Sequence, residues 1–145
     1  MKIITLLLTL MAVSALAQTP EQIKEKRARE MYRVLNLDDR AAWEKFIKEN
    51  YTQALIDRPM QAKVIGDDGP AKSDAKPAAN NLEAKVDMMK RLHGDFTGSK
   101  LTSIKQDGEV LVMQLSAPDG EGKMRFKFEK QSPYKIDGLG VEFDR

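Results

Sequence analysis

The chain has 145 residues, with 24 basic and 22 acidic side chains, one histidine and no cysteine. That length suits one domain with a single core, and the missing cysteine excludes disulfides and thiol chemistry. Charges of both signs are interspersed, so no one-signed tract argues for nucleic acid or an acidic membrane surface.

Residues Met1 to Ser14 carry one positive charge, Lys2, and then an apolar run. Ala15-Leu16-Ala17 follows, placing small residues at Ala15 and Ala17 before a cut after Ala17, the pattern of a secretory signal peptide. An apolar core of about a dozen residues is shorter than the roughly twenty a bilayer span needs. The expectation is a removed signal over 1–17 and a single α+β domain over 18–145, with no membrane span in the mature chain. Such a protein is exported, periplasmic or secreted. An exported domain without disulfides must rely on its core, which suits a bacterial periplasm.

Pro20 to Asn36 are helix formers, with Pro20 suited to a first helical turn. The early half is nearly all charged, so its first turns are expected to project into solvent. Asp38 or Asp39 can cap a second helix, in which Trp43, Phe46, Ile47, Tyr51 and Leu55 recur at helical spacing up to the Arg58-Pro59 corner. Residues 60–79 are rich in Pro, Gly, Ala and charge, and read as a flexible insertion. Their aspartates lack the spacing of a calcium loop. Asn80 or Asn81 opens a third helix through His93, with Leu82, Val86, Met89 and Leu92 or His93 on one face and Gly94 as its stop.

Strands follow. Lys100 to Gln106 and Glu109 to Ala117 flank Asp107-Gly108, a hairpin signal. Pro118 to Gly122 makes the next turn. Lys123 to Lys130 alternates, with Met124, Phe126 and Phe128 on the dry face. In the last segment the apolar residues change parity, from Tyr134 and Ile136 to Leu139, Val141 and Phe143. A β-bulge at Asp137-Gly138 would return both sets to one face. Gly138 would supply backbone freedom there, and Gly140 a close approach to a neighbour. The predicted architecture is α+β, with about three helices on one face of a curved four-stranded antiparallel sheet.

The helix end Leu92-His93-Gly94-Asp95-Phe96, the β-meander and the last strand from Ser132-Pro133-Tyr134-Lys135-Ile136-Asp137-Gly138-Leu139-Gly140 resemble a small accessory domain. That domain occurs beside exported serine hydrolases of the class C β-lactamase type and beside tail-specific peptidases. Its members end in Pro-Pro-His-Lys-Ile-x-Gly-hydrophobic-Gly; here serine and tyrosine replace the first proline and the histidine. The helix from Ala42 to the Arg58-Pro59 corner is also similar. The resemblance, spanning Asp38 to Glu142, implies a nuclear-transport-factor-2-like or cystatin-like cone and an accessory role. It carries over no catalytic residue.

No catalytic constellation stands in the sequence. His93 has no partner at metal-ligand spacing, so no cofactor or metal is expected. Ser73, Ser99, Ser103, Ser116 and Ser132 stand in no nucleophile motif. Gly138-Leu139-Gly140 lacks the third glycine and helix of a dinucleotide fingerprint. Arg125 and Lys127 face away from Phe126 and Phe128, which excludes a nucleic-acid stacking surface. Two functions remain. The first is an exported, non-catalytic accessory or binding domain acting on an envelope protein such as a serine hydrolase or peptidase. Its variant is a peptidase inhibitor wedging in the Pro118 to Gly122 loop. The second is a pocket for a small hydrophobic ligand, lined by Trp43, Tyr51, Met88, Met89, His93 and Tyr134, or a cone-fold isomerase or cyclase using Tyr51, His93, Tyr134 and Asp137. Either is compatible with a homodimer.

Overall fold

The structure, a computed structural model, describes residues 17–59 and 81–144. The expected signal segment other than Ala17, and the expected insertion over 60–79, lie outside the described residues.

Helix α1 runs Pro20–Leu35 and opens with a capping box. The Gln22 amide donates to Thr19 Oγ1 at 3.3 Å, and the Thr19 amide donates to Gln22 Oε1 at 2.9 Å, satisfying two otherwise orphaned donors. Ala28, Met31, Val34 and Leu35 are buried. The charged early half does not simply project into solvent. Arg27 donates to Asn50 Oδ1 at 2.7 Å and to the Pro133 carbonyl at 2.9 Å, tying α1 to the following helix and to the loop before the last strand.

Helix α2, Arg40–Asn50, is capped by Asp39, whose side chain accepts from the Ala42 amide at 3.1 Å. The single helix expected to reach Leu55 breaks here. Tyr51 is extended, with φ −90 and ψ 149, and forms a parallel bridge with Ile136. Thr52 then caps a new helix, α3, Gln53–Asp57. Its hydroxyl accepts from the Leu55 amide at 3.0 Å, while its own amide donates to the Ile136 carbonyl at 2.9 Å. A strand competes with the helix for this backbone, and the strand wins.

Helix α4 runs Asn81–Phe96 and buries Lys85, Val86, Met89, Leu92 and Phe96. Gly94 lies inside it rather than ending it. The stop is Gly98, at φ +74, a left-handed conformation that glycine adopts without strain. Its amide donates to Asn36 Oδ1 at 3.0 Å.

Strands β1 (Lys100–Asp107), β2 (Val110–Ala117), β3 (Gly120–Phe128) and β4 (Ile136–Asp144) form a four-stranded antiparallel sheet in sequence order. Asp107 pairs with Val110, so the first turn is Gly108-Glu109, one residue later than expected. Ala117 pairs with Gly120, so the second turn is only Pro118-Asp119, and Glu121 and Gly122 belong to β3. The loop expected as an inhibitory wedge is therefore too short to protrude.

Alternate residues of the sheet, Leu111, Met113, Leu115, Met124, Phe126, Phe128 and Ile136, join Trp43, Phe46, Ile47, Val86, Met89 and Phe96 in one core. The fold is α+β, with four helices rather than three packed with a curved, open antiparallel sheet. Phe96 reaches across the sheet at Gly122, where a Cβ would lie 2.0 Å from its Cε1 atom. The ring also meets Phe143 edge-on at 5.3 Å.

Candidate functional site: a groove between α3, α4 and β4

The site starts from the parity change in the last strand. Lys127 pairs with Gly138 and Phe128 with Ile136, so Asp137 is an extra residue with no partner across the ladder. Beyond it, Leu139 opposes Phe126 and Val141 opposes Met124, and both therefore share the core-facing side with Ile136. The bulge turns the Asp137 carboxylate toward the helices, where it accepts from Thr52 Oγ1 at 2.9 Å.

The two glycines act differently from expectation. Gly138 does not use a left-handed φ; a Cβ there would stand 3.3 Å from the Lys127 Cβ, so space is what it provides. At Gly140 the nearest atom would be the Arg125 Cβ at 3.8 Å, an ordinary contact.

Bringing the α2–α3 corner onto β4 leaves an open groove of about 380 Å³. Leu55, Met88 and Leu92 line it from the helices, and Leu139 and Val141 from the sheet. Its charged members are both cationic, Arg58 and Lys85. Lys85 is 4 % exposed, and its ammonium donates to the Arg58 carbonyl at 2.6 Å. Arg58 caps the C-terminus of α3, where a cation complements the exposed carbonyls. Burial, reinforced by the Arg58 charge, holds the Lys85 ammonium below the usual lysine value.

Tyr51 lies at the base of the groove and is 1 % exposed. Its hydroxyl has no hydrogen-bond partner among the described residues, and burial pushes its phenol up. Tyr51→Phe removes this unsatisfied group, so stability should rise by about 1 kcal/mol at neutral pH. The alkaline limb gives a second readout. The folded value lies above the unfolded one, so the phenol's contribution is complete below its ordinary value of 10.0 and is lost as pH rises past it. Lys85 works in the opposite sense, since its lowered folded value favours the fold as pH approaches the ordinary lysine range. Urea titrations of wild type and Tyr51→Phe at rising pH separate the two, because Lys85 is common to both. A variant that is less stable at neutral pH would show that the hydroxyl has a partner.

Only two of the six residues expected to line a pocket, Tyr51 and Met88, reach the groove. Trp43 and Met89 lie within the buried core with Tyr51, and the Trp43 indole donates to the Val34 carbonyl at 2.9 Å. His93 sits 5.5 Å from the Trp43 ring. Its Nδ1 lies 2.7 Å from the carbonyl of Leu35, the last residue of α1. The histidine therefore serves the end of α1 rather than the end of its own helix. Tyr134 lies elsewhere, with the Lys24 ammonium 5.6 Å from its ring centre and φ 54. Lys85 completes the groove but carries no motif, since a lysine in an apolar helical row reads as an interruption.

Among the described residues, no three His, Cys, Asp or Glu side chains are placed to hold a metal, and no helix is long and apolar enough to cross a membrane. Fold and groove together define an α+β domain with an apolar cleft and a cationic rim. No family model, curated protein or solved structure matches the chain.

Proposed function

We propose that this is an exported, non-catalytic binding domain acting on a protein of the cell envelope, such as a serine hydrolase or peptidase. The groove between α3, α4 and β4 takes an apolar segment of that partner. The observation that carries the reading is the lining: six apolar side chains, Pro59 included, around Tyr51, Arg58 and Lys85, with no carboxylate, imidazole or serine among them. Such a surface can desolvate an apolar chain and offer counter-charge to an acidic neighbour. The resemblance to an accessory domain of exported hydrolases supports the same role. Export is supported by the leader pattern and by the capping box at Thr19, which begins just after the expected cut and would survive it intact.

The test is a photo-crosslinking amino acid placed at Met88, inside the groove, or at Gln114, an exposed position on β2. A discrete polypeptide should be captured from Met88 in intact cells and not from Gln114. Equal capture from both positions would overturn the reading. No captured polypeptide, with a small molecule retained in native mass spectrometry, would assign the groove to a small apolar ligand instead.

A further inference from the structure

The sheet has two edges, and they are built differently. The β1 edge carries exposed Lys100 and Lys105 and an irregularity between Leu101 and Ser103, devices that discourage strand addition. The β4 edge has neither lysine nor proline. Its bulge is confined to Asp137, where Tyr51 already bridges Ile136. From Gly138 onward no other described strand lies outside it. On its apolar side Val141 is 37 % exposed, one of two exposed large hydrophobics among the described residues.

We propose that two copies of the chain pair antiparallel through β4, about a two-fold axis at Gly140. The spacing along the strand is self-complementary in that register. Gly140 is the middle residue of β4, and the pairing runs from Gly138 to Glu142, clear of Ile136, whose outer edge Tyr51 already takes. Leu139 falls opposite the second copy's Val141, placing apolar side chains together on the helix side. Glu142 falls opposite Gly138, so no two carboxylates meet. Gly140 faces itself across the axis with no side chain to collide. A register shifted to face Glu142 with Glu142 would set like charges directly opposite, which destabilises a sheet. Pairing extends the two sheets into one and lays the two grooves, each lined by Leu139 and Val141, along a common seam. It concerns the strand edge and stands independently of what the groove binds.

The chain has no cysteine, so a single introduced one reports the register. At Gly140 a new Cβ would meet only the Arg125 Cβ at 3.8 Å, and Gly140→Cys should fold. Directly opposed residues lie about 4.5–5.5 Å apart between Cα atoms, within disulfide reach. Mild oxidation should therefore convert Gly140→Cys almost completely to a covalent dimer. Glu142→Cys, displaced from its copy by about 14 Å along the strands, should react at least about ten-fold more slowly. Sedimentation equilibrium should show a wild-type dimer, and Val141→Lys, altering an exposed position, should be monomeric. A wild type that stays monomeric at about 0.5 mM, weaker than any stable interface, would overturn the proposal. So would Glu142→Cys crosslinking as fast as Gly140→Cys.

Discussion

Gly122→Ala is expected to destabilise the domain by about 3 kcal/mol. A Cβ at this position would sit 2.0 Å from Phe96 Cε1, 2.9 Å from Cζ and 3.1 Å from Cδ1. One whole edge of the ring stands where the methyl group must go. The ring cannot swing clear, because Phe96 is 1 % exposed and is held edge-on by Phe143. Gly122 itself lies between Leu115 and Phe143 in the ladder, so the strand cannot retreat without disturbing both neighbours. The sign is informative, since alanine in a strand otherwise gains over glycine by losing less backbone entropy. Urea unfolding gives the size of the loss. Phe96→Leu should rescue part of it, because leucine leaves the edge of the ring position empty, and the double variant should be more stable than the two single losses predict. A loss below about 1 kcal/mol, or no coupling with Phe96, would mean that the ring has room to move.

Thr52→Val should cost about 2–3 kcal/mol and should loosen α3 before the rest of the fold. The Thr52 hydroxyl accepts from the Leu55 amide and donates to the Asp137 carboxylate. Valine keeps the shape and removes both bonds. Loss of a helix cap costs about 1 kcal/mol, and a hydrogen bond to a charged group contributes about 1.5–3 kcal/mol. With only five residues, α3 has too few internal bonds to hold itself. The Thr52 amide bond to Ile136 survives, so the corner is weakened rather than released. Hydrogen exchange at Leu55 and Ile56 should accelerate more than exchange in β2 and β3. Thr52→Ser restores the hydroxyl and should recover most of the loss. Asp137→Ala removes only the charged partner and should fall between the two. Because α3 forms one wall of the groove, Thr52→Val should also weaken capture from Met88. Uniform loss of protection across the sheet would contradict a local role for this hook.

Much of this fold is written locally. The clean alternation of Met124, Phe126 and Phe128 identifies the dry face of β3 without reference to any other segment. The parity change from Ile136 to Leu139 locates an extra residue, because a strand that must bury both has no other way to do so. Asp39, with a short side chain ahead of the α2 stripe, marks a cap. Each of these signals depends on residues a few positions apart.

What the sequence could not decide depends on distant partners. The row Trp43, Phe46, Ile47, Tyr51 and Leu55 stays helical in spacing across a helix break, because the break is made by the carbonyl of Ile136 and the carboxylate of Asp137. Gly94 looked like a stop, yet the helix runs past it to Gly98, whose amide is taken by Asn36. Trp43, Tyr51 and Met89 suit a pocket and a core equally well, since both need apolar side chains at one spacing; only packing shows that all three are buried in one cluster. Lys85 sits in the buried row because the Arg58 carbonyl, at the end of another helix, receives its charge. Short-range periodicity and capping marked the four strands, the helix starts at Pro20 and Asp39, and the faces these elements bury. The tertiary structure decided where two helices part and where a groove opens, because those follow from hydrogen bonds closed between α3, α4 and β4.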